Sequence, residues 1–295
     1  SSSELPLSVK QIAVGDLADL ALDDSSDFLR ETFNGVDVVV HAAARVHVMS
    51  DDSSNPLIEF RKVNRDATLI LARLAAESDV KRFVFLSSIK VNGEMTRPGH
   101  PFTPDDVHIP DDPYSLSKYE AEQGLLALAK ETGIEVVIIR PPLVYGPGVK
   151  ANFSSMMKWM GKPVLLPFGA IHNQRSLVAL DNLVSFISLC ADQKKSPRAA
   201  NQVFLISDEE DVSTTQLLRK VGQALSLQSS SGIKAWLVPV PVSIMTFFAK
   251  LLGKGDLANR LFGFLQVDNS KARNLLGWEP VITMDEQLAQ MAKDT

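Results

Sequence analysis

One cysteine, Cys190, occurs in the 295 residues, so no disulfide can form within the chain. Its setting, FISLCAD, reads as the buried end of a helix in a protein of a reducing, cytoplasmic compartment. Histidine is nearly as scarce: the five present show none of the spacings that gather ligands around a metal, and no metal site is expected. Cationic side chains are outnumbered, 30 Lys and Arg against 35 Asp and Glu, for a net charge of −5. That balance excludes a broad nucleic-acid footprint while leaving room for a local basic pocket. No apolar run reaches the length of a bilayer crossing. The most apolar segment, AWLVPVPVSIMTFFA (235–249), carries two prolines and is bounded by Lys234 and Lys250. It reads as a broken loop leading into a buried helix, with contact at a membrane surface as the alternative. The opening SSSELPLSVK has no apolar signal core.

A further absence concerns glycine. A dinucleotide-binding unit opens with a strand, a Gly-rich turn and a phosphate-binding helix. Here Gly15 is solitary before Asp16, and the GKG of 253–255 follows no convincing parallel strand.

What is present alternates between strand-like and helix-like units. QIAVGDL (11–17) reads as a short strand and DDSSDFLRETFNG (23–35) as a helix ended by Gly35. VDVVVHAAA (36–44) is an apolar strand running into small residues. Residues 55–79 form a long helix, irregular near its start. KRFVFLSS (81–88) and GIEVVIIRPP (133–142) are two more buried strands, with a helix carrying Tyr114 between them. Near-continuous apolar runs, each preceded by a helix, indicate a parallel sheet covered on both faces. Ligands of such sheets lie beyond the carboxyl ends of the strands, which directs attention to HAAAR (41–45), SSIKVNG (87–93) and RPPLVYGPG (140–148). The second half is less regular. It holds helices at 152–162, 213–225 and in the last 30 residues, with a strand turning into a helix over 175–192 and a strand at 202–207.

Tyr114 and Lys118 stand four residues apart and so share one side of a helix. A tyrosine hydroxyl near pKa 10 is a poor base at neutral pH, and an ammonium beside it makes proton exchange practical. Alone, that spacing also suits ordinary helix-surface decoration. The Ser87–Ser88 strand end upstream changes its meaning, because it brings a third polar group to the same edge of the sheet.

With those residues in order, the chain resembles the extended short-chain dehydrogenase/reductase family, in particular its nucleotide-sugar epimerases, dehydratases and 4-keto reductases of surface-polysaccharide synthesis. The resemblance runs from VGDLAD to LLGW. It implies an α/β protein with a Rossmann-like, doubly wound parallel sheet and a smaller mixed C-terminal lobe. The family's usual first strand, Gly-rich turn and helix are missing from this sequence. Residues 1–148 would form the dinucleotide-binding domain and 149–295 mainly the substrate lobe, with 175–207 partly completing the first. The catalytic acid/base falls on Tyr114, its tuning lysine on Lys118, the catalytic serine on Ser88 with Ser87 beside it, and a supporting helix asparagine on Asn64. Cofactor contacts fall on Asp16, Leu17, Ala42, Ala43, Ala44, Ser87, Tyr114, Lys118, Pro141 and Leu143, with Tyr145 near the nicotinamide and Arg140 structural. Substrate contacts fall on Ser88, Lys90, Asn92, Asn152, Arg175 and Arg260, the two arginines facing a diphosphate.

The resemblance further implies NAD as cofactor, NADP remaining open, and a UDP-linked sugar as substrate. It also implies a homodimer formed through helices at 61–78 and 114–130. Ile89 and Lys90 occupy the place where dehydratases carry an Asp-Glu pair, which argues against dehydration, and family numbers alone make epimerisation at C4 the first expectation. Reduction of a 4-keto sugar is the second, and a non-catalytic dinucleotide sensor or scaffold the third.

Overall fold

Strands rich in Val, Ile and Phe on both faces can bury themselves only between two layers of helices. The computed structural model describes residues 9–19, 25–46, 55–106, 108–149, 152–228, 235–253 and 255–293. Its first half runs α1 (Ser25–Phe33), β1 (Val38–His41), α2 (Pro56–Arg61), α3 (Thr68–Glu77), β2 (Arg82–Leu86), α4 (Pro113–Thr132) and β3 (Glu135–Arg140). The chain continues through β4 (Leu143–Tyr145), α5 (Asn152–Met160), β5 (Leu165–Leu166), β6 (Leu177–Ala179), α6 (Leu180–Ala191) and β7 (Gln202–Leu205). It ends with α7 (Thr214–Gln228), β8 (Trp236–Leu237), α8 (Val242–Leu251), α9 (Gly255–Phe262), α10 (Ser270–Leu276) and α11 (Met284–Lys293).

The main sheet has the order β1-β2-β3-β7, all parallel, with Val39 opposite Phe83 and Phe83 opposite Val136. Alternate residues serve opposite layers. Phe83, Phe85, Val136 and Ile138 pack with Leu71, Ala121 and Leu125 on one face. Val84, Val137 and Ile139 pack with Leu183, Phe186 and Trp278 on the other. This is the doubly wound α/β arrangement. β7 comes from the second half of the chain and completes the sheet beyond β3. A second core gathers Phe153, Met157, Leu217, Val221 and Leu288 around Tyr145.

Local rules explain the element that matters most. Pro113 occupies the first turn of α4, where a missing N–H costs nothing, and the Asp112 side chain accepts the Ser115 N–H at 3.1 Å. Gly133 closes the helix at φ +81, a conformation that side chains with a Cβ adopt at a cost. At Gly124 a Cβ would stand 2.6 Å from the Leu69 side chain, so α3 and α4 approach closely because that position is bare.

Three expectations are corrected. Residues 11–16 form no paired strand; they are largely exposed and lead into a short 3₁₀ turn at Leu17–Asp19. A strand needs a hydrogen-bonded neighbour, and β1 pairs only with β2 among the described residues. The long helix of 55–79 is irregular in its middle rather than at its start, where Lys62–Ala67 forms a π turn between α2 and α3. Helix α8 is not buried: none of its residues is, and Ile244, Phe247, Phe248 and Leu251 are exposed.

Candidate functional site

The end of β2 is pinned to the end of β3. Ser87 donates its N–H to the Ile139 carbonyl at 2.7 Å, and Ile89 donates to that of Pro141 at 3.0 Å. Between them Ser88 caps a short turn, its Oγ accepting the Lys90 N–H at 3.3 Å. Tyr114, one residue into α4, reaches this point, close enough for the Ser88 side chain to act on the pKa of its hydroxyl. Its ring and that of Phe60 meet in a T-shaped contact at a centroid distance of 6.0 Å.

One turn along α4, Lys118 is almost fully buried. Its ammonium donates to the Leu86 carbonyl at 2.7 Å and lies 4.2 Å from the centre of the Phe85 ring. Burial pushes its pKa down to about 8, with the charge of Glu122 opposing. Tyr114 departs from expectation here. Burial raises its pKa, the nearby Ser88 side chain pulls it back, and the charge of Asp112 raises it further. In this structure Ser88 therefore does the lowering that the spacing assigns to Lys118.

Behind the serines lies a network whose signal was available at the same spacing. Glu122 continues the Tyr114–Lys118 stripe by another four residues. It accepts the Ser87 hydroxyl at 2.5 Å and binds Arg140 through both oxygens, at 3.0 and 2.5 Å. Arg140 also donates to Asn92 at 2.9 Å, and the Asn92 amide donates to the Thr103 carbonyl at 2.8 Å.

On the other side, the π turn places Asn64, wholly buried, against the segment after β1. Its Oδ1 accepts the Arg45 N–H at 2.9 Å, and its Nδ2 donates to the Arg45 carbonyl at 3.1 Å and to Ser117 at 3.0 Å. Ser117 in turn donates to the Tyr114 carbonyl at 2.7 Å. Asn64 thus ties the Ala42–Ala44 segment to the turn carrying Tyr114. His41, just before those alanines, shares a 3.0 Å hydrogen bond with Thr68. Burial, reinforced by the charge of Lys118, lowers its pKa to about 4.

The remaining residues are more dispersed. Ala42 and Ala43 are exposed at the carboxyl end of β1, and Ala44 is half-buried. Asp16 is exposed and accepts the Ala18 N–H at 2.9 Å; Leu17 packs on the core. Pro141 is buried and Leu143 exposed at the start of β4. Lys90 pairs with Glu94 at 3.3 Å, and Asn92 is buried in the Arg140 network. Arg175, half-buried, donates to the Gly263 carbonyl at 3.0 Å, and burial lowers its pKa. Arg260 is exposed on α9, the helix just before Gly263. Asn152 opens α5, and its side chain lies outside the described part of the structure. Tyr145 is fully buried, stacked on Phe153 and donating to Asp208 at 2.6 Å, a core position rather than one open to a ligand.

A family model described as the NAD dependent epimerase/dehydratase family matches residues 4–206. The chain belongs to that family. A UDP-glucose 4-epimerase of Vibrio cholerae is 52% identical over 257 residues, 87% of this chain and 76% of that protein. Among solved structures, RMD from Pseudomonas aeruginosa in complex with NADPH superposes with a TM-score of 0.72. It is 18% identical and covers 98% of this chain and 89% of its own. The UDP-glucose 4-epimerase of Thermotoga maritima with UDP-glucose gives a TM-score of 0.68 at 22% identity, covering 95% and 82%. These two likenesses report the fold.

The family's NAD fits the groups in place. Ala42 and Ala43 leave a bare shelf at a strand end where a ligand can approach the backbone. The Lys118 ammonium has three protons and, among the described residues, one hydrogen-bond acceptor, the Leu86 carbonyl, so donors remain for ribose-type hydroxyls. Among the described residues no helix is long and apolar enough to cross a membrane.

Proposed function

We propose that this protein is an NAD-dependent epimerase that inverts C4 of a UDP-linked sugar through a transient 4-keto form. The observation that carries the reading is the approach of Tyr114 to the Ser88 side chain at the end of β2, on the same helix as the buried Lys118. The 52% identity to a UDP-glucose 4-epimerase supports the choice of reaction and of nucleotide.

When bound, NAD supplies a hydride acceptor that can return the hydride to either face of C4, so the net reaction consumes no redox equivalents. The chain's own groups handle the proton. Ser88 holds the C4 oxygen and favours the Tyr114 phenolate, while Tyr114 takes the C4 hydroxyl proton and gives it back. The raised pKa of Tyr114 suits the returning half of that exchange. Lys118, at about 8, is mostly cationic at neutral pH and binds the cofactor's ribose. Asn64 holds the Tyr114 turn against the Ala42–Ala44 shelf on which the cofactor lies, with Asp16, Leu17, Pro141 and Leu143 at its borders. Arg175 and Arg260 meet the diphosphate, with Asn152, Lys90 and Asn92 on the sugar side. We assign the protein to the cytoplasm as a homodimer, in which 61–78 and 114–130 form the interface. Within one chain Arg61 and Arg65 already tie these helices together through Glu120.

The experiment is to incubate the protein with UDP-glucose and catalytic NAD and to follow the sugar by proton NMR. Inversion at C4 without stoichiometric NADH is the expected result. Turnover only of a 4-keto sugar, with NADPH or NADH consumed in equal amount, would make the protein a reductase instead.

A further inference from the structure

A surface helix ordinarily turns its apolar stripe inward. Helix α8 does the reverse. Ile244, Phe247, Phe248 and Leu251 follow the i, i+3, i+4, i+7 spacing of one helical face, and all four are exposed, Phe247 at 64% and Leu251 at 71%. Val242, Met245, Thr246 and Ala249, away from that face, are half-buried.

The neighbouring ribbon behaves alike. β5 pairs with β8, and strand alternation sends Leu166 and Leu237 into the core of the second lobe. It sends Leu165 and Trp236 outward, directly opposite each other in the register and each 72% exposed. Only residues 238–241 separate this pair from α8. On α5, just before β5, Trp159 is exposed under the Lys162 ammonium, 5.5 Å from the ring centre.

Charge distinguishes the occupants. The chain is acidic overall, yet residues 136–180 and 212–255, which contain all of these elements, hold no Asp or Glu. Lys158, Lys162 and Lys250 are exposed there. A second copy docking through the same face would set lysine against lysine. Apolar side chains beside tryptophans and lysines, in two segments that contribute no carboxylate, match the layering of a lipid interface: acyl chains, headgroup boundary, phosphates.

We propose that the outward face of α8 and the β5–β8 ribbon dock on an anionic lipid bilayer surface. The helix, at ten residues, lies on the bilayer rather than crossing it. The docking does not depend on which sugar nucleotide the enzyme takes, because α8 contributes no residue to the Ser88–Tyr114–Lys118 site.

The test is sedimentation of the intact protein with vesicles of phosphatidylglycerol and phosphatidylethanolamine, and with neutral phosphatidylcholine vesicles. Tryptophan emission serves as a second readout, because Trp159 and Trp236 are exposed while Trp278 is buried. Expected are binding to the anionic vesicles that weakens with salt, a blue shift on binding, and a loss of affinity of roughly tenfold in the F247S/L251S double variant. The variant should keep the wild-type melting temperature and its turnover of dissolved substrate. The proposal is overturned by absence of binding, by equal binding to both vesicle types, or by a double variant that binds as well as wild type. It is overturned equally by light scattering that shows a wild-type dimer dissociated by the double substitution, which would assign the face to a second copy.

Discussion

Arg140 and Glu122 form a doubly bonded ion pair, out of water, directly behind Ser87. A buried carboxylate and guanidinium are tolerated together, and removing one strands the other. Glu122→Gln should therefore destabilise the protein by about 3 kcal/mol or more in urea unfolding. Turnover should fall further than stability alone explains, because one of the two oxygens that hold Arg140 and the Ser87 hydroxyl would become an amide NH2. Unchanged stability in Glu122→Gln would show that Asn92 suffices for Arg140.

Tyr114→Phe should remove roughly two to four orders of magnitude from turnover, the usual worth of a positioned proton-transfer group. The fold should be untouched, since the phenyl ring keeps its edge contact with Phe60. Steady-state kinetics alongside circular dichroism would decide it; a variant retaining most of its turnover would end the proposed role.

Lys118→Met should make the protein inactive and more stable. Burial depresses the ammonium pKa from 10.5 to about 8, so the folded state opposes a charge that the unfolded chain carries freely. That penalty is fully present below pH 8 and is relieved as pH rises from about 8 to 10.5. Removing the charge should gain about 1–3 kcal/mol at pH 7, after loss of the bond to Leu86. The advantage over wild type should shrink between pH 8 and 10.5. A variant less stable than wild type at pH 7 would contradict this account.

His41 should make stability fall with acid. Its pKa is lowered from 6.5 to about 4 by burial and by Lys118. Between those values the unfolded chain binds a proton that the folded chain does not, so stability is intact above about 6.5 and declines towards 4. The full effect is about 3 kcal/mol. In His41→Gln, which can still bond Thr68, thermal melts between pH 4 and 7 should show a correspondingly flatter profile. Identical slopes in both proteins would assign acid sensitivity to other groups.

The parallel sheet was legible because strands buried on both faces have no polar alternation to obscure them; β1, β2, β3 and β7 all appear as apolar runs. The Ser88, Tyr114 and Lys118 cluster was legible from order along the chain. Glu122 stands at the same helical interval but drew no assignment, because nothing in a sequence shows that Arg140 waits behind it. Helix α8 was misread for a related reason: apolar composition states an appetite for burial, not whether the chain supplies the cover. The direction of the Tyr114 shift depends on which atoms lie nearest its oxygen, and helical spacing alone does not specify them.

The π turn at Lys62–Ala67 works as a phase shifter. Each residue advances a helix by about 100°, so the widened turn sets the azimuth of Phe60, which supports Tyr114, independently of that of Thr68, which holds His41. Deleting one residue there would give a more regular helix pointing one of these side chains the wrong way. The count of residues between Phe60 and Thr68 is thus as specific a requirement as their identities, and shortening it by one is the change this part of the chain can least absorb.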